Sequence, residues 1–181
     1  MRPFRVEAPA SPLVPLADLR AHGRADTADE DALLQGFERA AVAYLDGYTG
    51  RLGRCVLRQK WALPLTDQPQ AVQLPFPDCR DFKIEQRDAF GVWSEVADVT
   101  ITQFDDNVLL TNLPADQSGL HLTCIAGWET VDDVPDSLKQ AVQMLVAHWS
   151  THRGAVSQSD AAEGVPFGVA ALLQPLTVVF G

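Results

Sequence analysis

Apolar residues recur at helical spacing in two long stretches of the chain and alternate with polar ones in the section between them. The clearer helical stretch is 134–153. There Leu138, Val142, Leu145 and Trp149 follow at intervals of four, three and four, which places them on one face of a helix. Ala141, Val146 and Ala147 widen that face, so this helix is expected to be covered from more than one side. Pro135 suits the first helical position, where a missing N–H costs nothing. Asp136 and Arg153 suit the positive and negative ends of the helix dipole, and Gly154 the stop. The second stretch carries Leu33, Leu34, Phe37, Ala40, Ala41, Tyr44 and Leu45 at helical spacing. The run Thr27-Ala-Asp-Glu30 ahead of it is a capping-box pattern, and the helix is predicted to run to about Asp46. Two short helices are predicted over 16–22 and 166–173.

From Cys55 the period changes. Short β-type runs contain Val56, Leu57, Trp61 and Leu63, then Phe82 to Glu85, Val92-Trp93, Val96 to Thr102, Val108 to Leu110 and Leu120 to Ile125. Pro64, Pro69, Pro75 and Pro77 interrupt them, as prolines that blunt sheet edges do. The pattern as a whole predicts an α+β fold: a helical bundle of two long helices plus short ones, with a small antiparallel β-sheet inserted. The expected organisation is a single domain. It has an N-terminal arm over 1–15, a helical core over 16–50 and 134–173, a sheet insertion over 55–128 and a C-terminal tail over 174–181. The tail, Gln174-Pro-Leu-Thr-Val-Val-Phe-Gly181, is expected to be β-type.

Length and composition fit one ordinary globular domain: 181 residues, 46% hydrophobic and 21% charged. No apolar run approaches the roughly 18 residues of a membrane span. The start, Met-Arg-Pro-Phe-Arg-Val-Glu, lacks the apolar centre of a signal peptide, so assembly from the cytoplasm is expected. Cys55, Cys79 and Cys124 fit neither a disulfide framework nor a zinc spacing and read as buried thiols. Charge changes the picture more. The formal net charge is −10, and no Lys or Arg stands between Arg87 and Lys139. Ten of the 24 acids lie in or beside that gap, and the other 14 balance the 14 bases. Such a stretch argues against wrapping nucleic acid. It reads either as a solvated face or as a surface, with Asp105, Asp106, Asp132 and Asp133 at its turns, that lets a polyanion pass without sticking.

Candidate chemistry adds little. Gly47-x-x-Gly50-x-x-Gly53 follows a helix rather than a strand and lacks the Gly-Lys-Ser/Thr ending of a phosphate loop. His148 and His152 are one helical turn apart, but Trp149 stands where a zinc protease needs Glu, and no third ligand is near. Ser157 and Ser159 lack a nucleophile-elbow context. Hence no catalytic residue, no cofactor and no metal is assigned.

Four segments, in order, carry a resemblance. Ala43-Tyr44-Leu45-Asp46-Gly47-Tyr48-Thr49-Gly50-Arg51 is similar to the end of the second helix in head–tail connector (adaptor) proteins of tailed phages. Trp61 with Leu74-Pro75-Phe76-Pro77 resembles that family's strand segment. Cys124-Ile-Ala-Gly-Trp128, Val134-Pro-Asp-Ser-Leu-Lys-Gln-Ala141 and His148-Trp149 with Arg153 resemble its central block, and Val165-Pro166 with Gly168, Leu172 and Leu173 its close. The likeness spans about residues 13–176. Cys124, Trp128 and the Val178-Val-Phe180 tail depart from the pattern. Relatives occur in phages and in gene transfer agents, and the alanine-rich composition leans toward the latter. The resemblance implies a virion structural protein at the head–tail interface. Its partners would be other copies in a ring, commonly of twelve, the portal protein and a tail-side connector (stopper or terminator), with DNA passing through unbound. It also implies that helices build the ring and that the C-terminal segment reaches the portal, through Leu176, Val178, Val179 and Phe180. The competing reading is a small-molecule enzyme or ligand-binding domain with a cleft between sheet and helices.

Overall fold

The computed structural model describes residues 2–23, 28–66, 70–114, 118–151 and 167–178. The chain forms two compact units. One comprises Ala10–Val56 and Trp128–Gly181; the other comprises Met1–Pro9 and Leu57–Gly127.

The first unit is helical. It contains α1 (Leu16–Gly23), α2 (Asp31–Leu45), α3 (Asp136–Thr151) and α4 (Phe167–Leu173). α3 packs against each of the other three, which explains why its sequence is apolar around so much of its circumference. Leu138, Ala141, Val142, Leu145 and Val146 are buried, and Trp149 is half-buried. Pro135 stands one residue ahead of the first helical position, where its carbonyl accepts the Leu138 and Lys139 amides. Arg153 and Gly154 lie outside the described residues, as does Thr27. α2 is preceded by a 3-10 turn, Ala28–Glu30, and Glu30 at its N-cap makes no side-chain capping bond. α2 buries Leu34, Glu38, Ala41 and Leu45. Glu38 is an acid in the core, only 3% exposed, and accepts the Leu13 amide at 2.9 Å and that of Val14 at 3.4 Å. Arg20 of α1 is ion-paired with Asp31 at the start of α2.

The second unit is β-structure. Its strands are β1 (Phe4–Glu7), β2 (Gln59–Pro64), β3 (Ala71–Gln73), β4 (Arg80–Arg87), β5 (Trp93–Glu95), β6 (Thr100–Phe104), β7 (Asn107–Thr111) and β8 (Leu120–Ala126). They make two antiparallel sheets, where the sequence pattern suggested one. The five-stranded sheet has the order β1-β2-β8-β4-β5 and the three-stranded sheet β3-β7-β6. β8 is the middle strand of the larger sheet, and every residue from Leu122 to Ala126 is buried, not only the alternate ones. Lys60 of β2 and Glu85 of β4 join across it at 2.8 Å. Residues 4–7, anticipated as part of an extended arm, pair with β2. The run Val96 to Thr102, read as one strand, is divided: Val96 N–H still donates to Ile84 O of β4, pairing with β7 begins at Thr100, and Asp98 between them adopts a positive φ of 65° that breaks the pleat. Phe76, fully buried, lies edge-on to Trp61 at 5.0 Å.

Candidate interaction surfaces

The Gly47–Gly53 segment is a helix exit, and the amides of its three glycines, of Arg51 and of Leu52 are bonded to backbone carbonyls. Gly47 N–H donates to Arg54 O, Arg51 N–H to Tyr44 O and Leu52 N–H to Leu45 O. A Cβ at Gly50 would lie 2.3 Å from Asp46 O, so the glycine answers to close backbone approach. His148 is half-buried on α3, and His152 lies outside the described residues, as do Ser157 and Ser159. Among the described residues, no group of three or more His, Cys, Asp or Glu side chains gathers to hold a metal ion. All three cysteines are buried thiols outside any disulfide. Cys79 and Cys124, 45 residues apart, bring their Sγ atoms to 3.2 Å. Hydrogen bonding to Cys124, then burial, raises the Cys79 thiol well above its usual range, which keeps it protonated and unreactive.

The acidic stretch divides between the units. Asp105 and Asp106 form the two-residue turn of the β6–β7 hairpin, with Asp105 at φ 48°. Both are exposed. Asp132 and Asp133 lie in the turn before α3, also exposed. Asp133 accepts Thr130 Oγ1–H at 2.7 Å and Thr130 N–H at 2.9 Å, and the Thr130 hydroxyl, then its amide, hold the carboxyl below its ordinary range. Other acids of the stretch also have local work. Asp88 Oδ1 accepts the Phe90 and Val92 amides, and Glu95 pairs with Lys83 at 2.6 Å.

The tail differs from the β-type expectation at its start. Gln174–Leu176 is a 3-10 turn that continues α4. Leu176 and Val178 are half-buried, and Val178 N–H donates to Leu52 O within the helical unit at 2.8 Å. Val179 and Phe180 lie outside the described residues. Exposed apolar groups occur on both units. In the β unit, Phe90 at the β4–β5 turn is 93% exposed and Val92 is 61% exposed. In the helical unit, Leu33, Tyr44 and Tyr48 stand out.

No protein-family profile and no curated protein matches the chain. Solved structures do. A chain in "Neck of empty GTA particle computed with C6 symmetry" matches at 25% identity and a TM-score of 0.71, over 100% of this chain and 97% of that one. The fold is shared with a protein of the gene transfer agent neck. A chain in "Virion of native gene transfer agent (GTA) particle" gives 24% identity and a TM-score of 0.73, again over 100% and 97%. One in "Neck of native GTA particle computed with C12 symmetry" gives 24%, 0.71 and the same coverage. The likeness therefore takes in both compact units. Among the described residues, no helix of this neck-like fold is long and apolar enough to cross a membrane.

Some of these features lie beyond sequence reasoning. The Cys79–Cys124 contact follows from the pairing of β4 with β8, which no local spacing encodes. Phe90 carried a usable signal. It stands in Asp88-Ala-Phe-Gly91, a turn sequence, and a turn tip has little core to offer an aromatic ring.

Proposed function

We propose that this chain is a non-enzymatic structural subunit of the neck of a phage-like particle, an adaptor that forms a ring of twelve between the portal and a tail-side connector. DNA passes through the ring without being bound. The observation that carries the reading is the shared fold over 100% of this chain and 97% of a chain in a neck computed with C12 symmetry. The four segments in family order, from Tyr44 to Leu173, support it independently. The test is cryo-electron microscopy of particles that contain the chain. A ring of density traced by this sequence between head and tail is expected; density for the chain elsewhere, or its absence from the particle, overturns the reading.

In this reading the C-terminal residues Leu176, Val178, Val179 and Phe180 engage the portal. An apolar, uncharged segment is best covered by a partner, and an extended one can add main-chain bonds to a neighbouring strand. Val178 N–H is itself bonded to Leu52 O within the helical unit. Deleting residues 179–181 keeps that bond. The truncated chain is expected to retain its melting temperature and fail to join portal-bearing heads. Normal joining would exclude the role of Val179 and Phe180 and leave the ring itself in place.

A further inference from the structure

α2 carries apolar side chains on two faces, and the fold buries one of them, together with Glu38. Leu34, Glu38, Ala41 and Leu45 face the helical core. Leu33, Phe37, Ala40 and Tyr44 each precede one of them, so they form a second stripe turned by about 100° around the axis. Leu33 is 37% and Tyr44 39% exposed, Ala40 is exposed and Phe37 half-buried. Of the exposed positions on α2, only Arg39 is charged. A helix with one free face ordinarily fills that face with charge. α3 shows the contrast in the same unit: its exposed positions, Asp136, Gln140 and Thr151, are all polar. Tyr48 continues the α2 patch beyond the helix end, and Arg51 Nη1 donates to the Tyr44 hydroxyl at 3.2 Å, fixing that ring.

We propose that the Leu33–Phe37–Ala40–Tyr44 face of α2 is a subunit interface, covered by a second copy of this chain. The proposal rests on the ring reading above and names the surface it uses. A cyclic ring needs a head-to-tail contact, in which one patch of each copy meets a different patch of the next. Permanent contacts between identical subunits are more apolar than transient ones, which matches an apolar stripe flanked by Arg39 and Arg51. The small side chain of Ala40 at its middle lets another element approach closely. Arg39 and Arg51 are the two cations at the face, and Arg51 is engaged with the Tyr44 hydroxyl, too few to make a phosphate-binding surface.

The test places the photo-crosslinker p-benzoylphenylalanine at position 44 (Tyr44→p-benzoylphenylalanine) and irradiates assembled particles. An adduct of two copies, near twice the 19.7 kDa chain mass, is expected. An adduct with a different protein, or none from particles that contain the chain, overturns the interface while the ring stands. Absence of the chain from particles overturns the ring reading instead. In parallel, Ala40→Glu is expected to keep the wild-type melting temperature as an isolated chain and to lose incorporation, whereas Ala40→Ser retains it. Wild-type incorporation of A40E overturns the proposal.

Discussion

Glu38 shows how a single residue departs from its ordinary place. An acid in the middle of an amphipathic helix reads as a solvent group, yet this one is buried and receives the amides of Leu13 and Val14. Glu38→Ala would leave the Leu13 amide buried without a partner, at a cost of about 2 kcal/mol, whereas Glu38→Gln keeps an acceptor and costs less. Urea unfolding of the two variants checks the order. Phe90 is the opposite case. At 93% exposure its ring contributes no burial, so Phe90→Ser is expected to change stability by less than about 0.5 kcal/mol, read as an unchanged urea midpoint. Asp133 sets a pH dependence. Its carboxyl is held low by Thr130, so the stabilising effect is present above the unfolded value near about pH 4 and disappears as pH falls through the lowered folded value. The melting-temperature gap between wild type and Asp133→Asn should therefore close on acidification; a gap independent of pH would exclude the Thr130 contact.

At the scale of elements, α3 carries the helical unit, since α1, α2 and α4 all rest on it. Leu145 is 1% exposed at its centre. Leu145→Asp would bury an unpaired charge and remove packed methyl groups, a loss of at least about 4 kcal/mol that should leave the helical unit unfolded. Far-ultraviolet circular dichroism would report it, and an unchanged spectrum and melting temperature would contradict the packing. The helical spacing of 138–149 was legible in the sequence because it is local: each contact face is set by residues three or four apart. The strands were less legible. β3 and β5 have three residues each, too few for an alternation to stand out, and Asp98 ends a pattern that otherwise continues.

For the whole molecule, charge and assembly are the open links to function. Asp105 and Asp106 tip one hairpin of the β unit, and Asp132 and Asp133 mark a turn of the helical unit. As a proposal, these acids line the DNA passage, where repulsion keeps phosphate from sticking. Replacing all four with Lys should leave assembly intact and impair DNA release, and normal DNA delivery by complete particles would exclude that lining. What the sequence determined by itself were the quantities that short range controls: the two long helices, the turn chemistry of Asp88-Ala-Phe-Gly, the mixed class, and the order of segments that carries the family resemblance. Only the tertiary structure decided the rest. The division of the eight strands among the described residues into two sheets depends on pairings such as Gln59 with Ala126, set by which edges meet rather than by any local period. Burial of Glu38 and contact of Cys79 with Cys124 arise the same way, across chain separations of 25 and 45 residues. The sequence does not tell which stripe of α2 the core takes, since the buried one contains Glu38 and the exposed one is wholly apolar: hydrophobic spacing records that a face needs covering and not what covers it. Packing within the unit claims one stripe and leaves the other exposed.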